Sequence, residues 1–170
     1  MRWSKVRKLV QESFADSVRG RVRIDVTNAH PRGASWRCSC NRGWISIDGH
    51  VVAHVDPHLG KSTLSLPRDQ GVRCQQSYRS EFPEACWQYL HSGINDSLQS
   101  PDPFVSSLAM LNTKLGRTRL QRASTWDLHP LTRAMLEFRS QAEREARADD
   151  PDAMNDGGML PPNQAASGTQ

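Results

Sequence analysis

The sequence predicts an α+β fold. A small antiparallel sheet is flanked by an N-terminal helix and by C-terminal helices, and a disordered tail follows. Three observations carry this expectation. Apolar residues near the N-terminus recur at helical spacing, the stretch from 21 to 55 alternates and turns like antiparallel strands, and the stretch from 83 to 148 returns to helical spacing. That order separates helices from strands, whereas a doubly wound parallel sheet alternates them. With 170 residues the chain has the length of one ordinary domain. The expected organisation is a single α+β domain over 1–148 and an acidic disordered tail over 149–170.

Trp3, Val6, Val10 and Phe14 stand three and four residues apart and predict an amphipathic helix over 2–15, with Gly20 as a stop beyond it. Arg2, Lys5, Arg7 and Lys8 crowd its first turns and oppose the helix dipole, so nearby acids have to offset them. From Arg21 to Asn28 the chain alternates, which predicts a half-buried strand with Val22, Ile24 and Val26 inward. Asn28 to Gly33, with Pro31, reads as a loop, and 34–40 as a second strand. Gly43 to Val55 holds two β-prone runs around Asp48-Gly49, a pair suited to a type I′ turn because both central residues take positive φ. Pro57, Gly60, Pro67 and Gly71 make 56–73 mostly loop, with one short strand near Leu64–Leu66.

From Pro83 the spacing predicts a short helix carrying Ala85, Trp87, Tyr89 and Leu90 and ending at Gly93. Asp102-Pro103 reads as an N-cap followed by proline at the first helical position. Phe104, Leu108, Leu111 and Leu115 follow at helical spacing, with Gly116 as the stop. A last helix starts near His129-Pro130. Leu131, Met135, Phe138 and Ala142 form its inward stripe, and Glu137, Arg139, Glu143, Arg144 and Arg147 its wet side. Residues 149–170 have no periodicity and are rich in Pro, Gly, Asp and Asn, hence the expected disorder.

Composition narrows the function classes. Apolar residues make up 36% and charged residues 24%, and mean hydropathy is -0.66. No segment approaches the ~20 apolar residues that cross a bilayer, so no membrane role is expected. The opening MRWSKVRKLV carries cations but no apolar run after them, which argues against a secretory signal. Four cysteines are too few for a disulfide-built fold and read as reduced thiols of a cytoplasmic protein. Without secretion, Asn95-Asp96-Ser97 is a chance glycosylation sequon. The net charge of +4 is uneven: 1–80 carry +8, 81–148 are neutral, and 149–170 carry -4. A basic half points either to an anionic partner or to a solvated face.

Each catalytic or metal-binding pattern fails on spacing or context. Leu59-Gly60-Lys61-Ser62-Thr63 resembles the end of a phosphate-binding loop, but Val55 occupies the place of its first glycine and Leu64 to Pro67 make a poor helix. His50, His54, Asp56 and His58 share one side of an extended strand. However, His50 and His54 would stand ~13 Å apart there, too far for one ion. Cys38 and Cys40, with Cys74 or His30, lack the second close pair of a structural zinc site and read as small buried residues. Cys86 sits between Ala85 and Trp87 in a helix and reads as core. No catalytic residue, metal or cofactor is assigned.

Two basic clusters remain. Arg19, Arg21 and Arg23 are spaced to share a strand face. Lys114, Arg117, Arg119 and Arg122 form a stretch without an acid, read as a loop between two helices. Trp36, Trp44 and Trp126 are candidate stacking surfaces, although tryptophan is equally core or interface material. No RNP, helix-turn-helix or zinc-finger signature accompanies them.

Some residues carry a resemblance. Arg2-Trp3-Ser4-Lys5, Phe14-Ala15-Asp16-Ser17-Val18 with Gly20-Arg21-Val22, and Arg42-Gly43-Trp44-Ile45-Ser46-Ile47-Asp48-Gly49 resemble a family of small uncharacterised bacterial proteins. His129-Pro130-Leu131 and Leu136-Glu137-Phe138-Arg139 resemble that family's C-terminal helix. The resemblance covers about 1–60 and 100–145 and implies a bacterial, intracellular protein. It brings no catalytic residues with it. The expected function is therefore a non-enzymatic binding or interaction protein with a protein partner. The alternative is a nucleic-acid-binding module using the two basic clusters with Trp36 and Trp44.

Overall fold

The computed structural model describes residues 2–29, 40–56, 61–64 and 82–149. The described elements are α1 (Trp3–Glu12), β1 (Val22–Ala29), β2 (Cys40–Ile47), β3 (His50–Asp56), β4 (Lys61–Leu64), α2 (Phe82–His91), α3 (Ile94–Leu98), α4 (Pro103–Leu111), α5 (Arg117–Ala123) and α6 (Pro130–Ala148). The fold is α+β: one four-stranded antiparallel sheet in the order β1-β2-β3-β4, an N-terminal helix, and a group of C-terminal helices.

The β2–β3 hairpin forms as its sequence requires. Asp48 and Gly49 both take positive φ, at 49° and 84°. In β1, Val22 and Ile24 are buried while Arg23 is exposed, and they pair with Ile47 and Ile45. The alternation breaks in β3. Val51 pairs with Ser46 and Ala53 with Ile45, leaving Val52 as the extra residue of a bulge. Val52 and Ala53 are consecutive and both buried, so the bulge re-aims the strand and ends the one-sided histidine row. The fourth strand lies at Lys61–Leu64, a few residues before its expected place.

The sheet's inner face meets α1 and α2, and α2 lies between β2 and α4. Every residue of α4 is buried, as expected of a helix that is apolar on all sides. It packs against α2, α3 and α6. The Asp102 carboxylate caps α4, with Oδ1 accepting from the Phe104 amide at 2.8 Å, and Pro103 occupies the first turn. Phe82 links the layers, packing edge-on against Phe104 and tilted against Trp3.

Several boundaries differ from expectation for tertiary reasons. α1 stops at Glu12 rather than 15, because the following residues join α4 instead. Ala15 donates to the Leu111 carbonyl, and Thr113 donates to the Ser13 carbonyl, each at 2.9 Å. α4 ends at Leu111, not at Gly116. Asn112 turns extended, and its Oδ1 accepts from the Lys114 amide at 2.8 Å. The stretch read as an inter-helix loop forms α5, and Gly116 starts that helix rather than stopping the one before. α3 is an additional short helix. Arg139 is not on the wet side of α6 but 3% exposed. Its guanidinium donates to the carbonyls of Met110, Asn112 and Leu115 and to Glu143. Of the strand expected over 34–40, only Cys40 is described, as the first residue of β2; residues 34–39 and the tail from 150 onward lie outside the described residues.

Candidate partner-binding surface

The N-terminal arginines do not form one basic strip. Gly20, at φ 86°, turns the chain between Arg19 and Arg21, so the strand period does not extend back to Arg19. Arg19 pairs with Asp16 at 2.8 Å and donates to the carbonyls of Phe14 and Glu12, sealing the end of α1. Arg21 forks onto Asp48, through Nε at 3.0 Å and Nη2 at 2.8 Å, and reaches Glu145 at 2.7 Å. Its guanidinium also lies 4.9 Å from the centre of the Phe138 ring. These hydrogen bonds hold Arg21 more firmly protonated than usual and Asp48 below its ordinary range. Arg23 alone stands exposed on the strand, opposite Ser46.

The second cluster does come together. Leu115 and Leu120 occupy the positions just before the cap and in the first full turn of α5, and both are buried. The Gly116 carbonyl accepts from the amides of Arg119 and Leu120 at 3.0 and 3.1 Å. With Leu120 and Ala123 turned inward, Arg117, Arg119 and Arg122 are exposed, as is Lys114 on the approach. None of these four cations has an ion pair among the described residues. Arg119 meets only the neutral Asn95 Oδ1, at 3.3 Å. Elsewhere, Arg7, Lys8, Arg19, Arg21 and Arg139 each pair with a carboxylate, while Arg2, Lys5, Arg23, Arg133, Arg144 and Arg147 have no ion pair among the described residues. A cation in a helix's first turn opposes its dipole, so Arg117 and Arg119 do not stabilise α5.

Beside α5 lies an open groove of about 250 Å³ that sequence reasoning missed as a site. Its walls come from the α3–α4 connection, including Leu98, Gln99 and Pro101, and from the α5–α6 connection, including Trp126, Leu128 and His129. Trp126 is 40% exposed, and Arg133 fixes its backbone by donating to the Trp126 carbonyl at 3.1 Å. Ser106 and Thr132 line the groove and bond each other at 2.8 Å. His129 Nδ1 accepts from the Leu131 amide at 3.2 Å as the N-cap of α6, and burial pushes its imidazole below the usual value. The signal in the sequence was Ser124 to His129, a polar run around one tryptophan between two helices.

The other candidates do not join this surface. Trp44 is half-buried on β2, in register with Asp25 and His54. Trp36, Cys38, Cys74, His30 and His58 lie outside the described residues, as do Leu59 and Gly60 of the phosphate-loop look-alike. Lys61 to Thr63 lie in β4, where a phosphate-binding loop would begin its helix. Among the described residues no group of three His, Cys, Asp or Glu could hold a metal ion. Cys86 is fully buried, which raises its thiol pKa well above the usual value. Ser97 of the sequon is buried. A further polar network joins α2 to the ends of α1 and α4. Ser13 donates to the Val10 carbonyl and accepts from Tyr89, to which Asn112 Nδ2 donates. Burial raises the pKa of Tyr89, against the pull of those hydrogen bonds.

No helix among the described residues is long and apolar enough to cross a membrane. No curated protein and no solved structure matches the chain. A family model does match, over residues 2–65 and 68–140, which is most of the sequence. By that match the chain belongs to the SF0329 protein family.

Proposed function

We propose that this is a non-enzymatic binding protein of the bacterial cytoplasm, without metal or cofactor, that docks an acidic protein partner on α5 beside the Trp126 groove. The observation that carries this reading is the grouping of Lys114, Arg117, Arg119 and Arg122, exposed and without ion pairs, on one short helix and its approach, in a stretch that has no acid and leads to the exposed Trp126. An exposed aromatic next to arginines is the composition of an interface centre. A nucleic-acid partner is the second reading. The same cations beside Trp126 favour it, because a base stacks on such a ring. The engagement of Arg19 and Arg21 in internal ion pairs weighs against the wider basic strip that it uses.

Fluorescence anisotropy at low salt tests the reading. The probes are a labelled peptide rich in Asp and Glu, a short DNA duplex and a single-stranded RNA. The peptide is expected to bind, and Arg117→Gln combined with Arg122→Gln is expected to weaken it about tenfold. If the peptide stays unbound, the reading fails. If only the nucleic acids bind, with a steep loss in salt, the second reading takes its place.

A further inference from the structure

The sequence carries its own complement to the α5 surface. Residues 149–170 contain Asp149, Asp150, Asp152 and Asp156 and no Lys, Arg or His. Thr113 to Trp126 contain the four cations of the surface and no acid. The two stretches have opposite charge, and the fold sets the distance between them.

Arg139 donates to the Leu115 carbonyl at 2.7 Å, which fixes the start of α5 against the middle of α6. Arg133, earlier on α6, holds the Trp126 carbonyl. α5 therefore runs back towards the start of α6, and Lys114 and Arg117 are at the end nearer the C-terminal segment. From Arg139 to Ala148 the helix rises about 14 Å, at 1.5 Å per residue. Asp149 caps α6 and stays at its end. Asp152 and Asp156 follow Ala148 by four and eight residues, a reach of up to about 13 and 26 Å of extended chain, so Asp156 can fold back over that distance.

We propose that the acidic segment 150–156 docks in cis on the Lys114–Arg122 face and that a partner has to displace it. This rests on the reading of α5 as a docking face for an acidic partner and adds its regulation. A tethered segment acts at an effective concentration in the millimolar range, so even a weak intrinsic contact occupies the face for much of the time. The apparent affinity of a competing partner falls in proportion.

The lysine inventory allows a direct test on the full chain. Lys5, Lys8, Lys61 and Lys114 are the lysines whose side-chain amines a carbodiimide can join to a carboxylate, and Lys114 alone belongs to the face. The expected product is an amide between Lys114 and an aspartate of 150–156. It forms within one molecule, as shown by mixing isotope-labelled and unlabelled protein. It disappears in high salt and in the Arg117→Gln, Arg119→Gln, Arg122→Gln variant, which keeps the amine. In a separate anisotropy titration, changing Asp150, Asp152 and Asp156 to asparagine tightens binding of the acidic probe peptide about threefold or more. Aspartates that join Lys5, Lys8 or Lys61 instead, that join only between molecules, or that join nothing while Lys114 still acetylates normally overturn the docking. Unchanged peptide affinity in the asparagine variant overturns the competition. Because cross-linking needs no partner, a Lys114 product with no peptide binding would leave the docking standing and remove the proposed function.

Discussion

Arg139 Nη2 lies 2.7 Å from the carbonyl oxygen of Leu115, twenty-four residues away in sequence. The same guanidinium serves the carbonyls of Met110 and Asn112, where α4 ends. Helix ends leave carbonyls without intrahelical partners, and a buried end needs donors from elsewhere. Here one arginine of α6 supplies them, with Glu143 balancing its charge at 3.0 Å.

Arg139→Ala should therefore cost about 3 kcal/mol, because several buried acceptors lose their donor together. Arg139→Lys should recover only part of this, since an ammonium cannot reproduce the planar fork. Urea denaturation of both variants checks the order: wild type, then lysine, then alanine. A lysine variant as stable as wild type would contradict it.

Gly43 and Gly49 are expected to respond differently to alanine. A Cβ at Gly43 would overlap the Cβ, Cγ and Cδ1 atoms of Phe82, which is fully buried and has no room to shift. Overpacking of that kind costs typically about 1–3 kcal/mol, and here the upper end is expected. At Gly49 a Cβ meets nothing, and only its positive φ is strained, so about 1 kcal/mol is expected. Thermal melts of the two variants should place Gly43→Ala clearly lower.

His129 predicts a pH dependence with a definite sign. Burial lowers its folded-state pKa, and its Nδ1 must stay unprotonated to cap α6. Below the unfolded value of about 6.5, the unfolded chain takes up a proton that the folded state resists. Stability is thus full above that pH and falls as pH drops through the folded pKa. His129→Asn keeps a capping acceptor without titrating, so its denaturation midpoint should change less between neutral pH and pH ~5. The Asp48 contribution is separable, because a lowered carboxylate loses its stabilisation only below about pH 4.

Arg21 joins the β2–β3 turn to α6 through Asp48 and Glu145, yet its side chain is 36% exposed. Solvent screening keeps such pairs small, so Arg21→Ala should cost about 1 kcal/mol or less, with a smaller cost in high salt. A much larger, salt-independent loss would point to its contact with Phe138 rather than to the ion pairs.

What could be read from the sequence was what neighbouring residues decide. The type I′ turn at Asp48-Gly49, the Asp102-Pro103 start of α4 and the His129-Pro130 start of α6 depend on a few adjacent side chains. What escaped was set by residues far away in the chain. Arg139 falls among polar neighbours on α6, and its burial makes sense only beside the end of α4. Arg21 looked like a free cation because its partners lie 27 and 124 residues further on. α5 looked like a loop because seven residues with two inward positions are too few for periodicity to register. The groove was hidden for the same reason: its two walls come from connections that meet only in the fold.

Backbone amide NMR shifts during titration with the Asp- and Glu-rich peptide locate the docking face residue by residue. The largest changes should fall on Lys114 to Ala123 and on the Trp126 indole, and they should fade as salt is added. Changes centred on Arg23 and Trp44, with α5 silent, would contradict that placement.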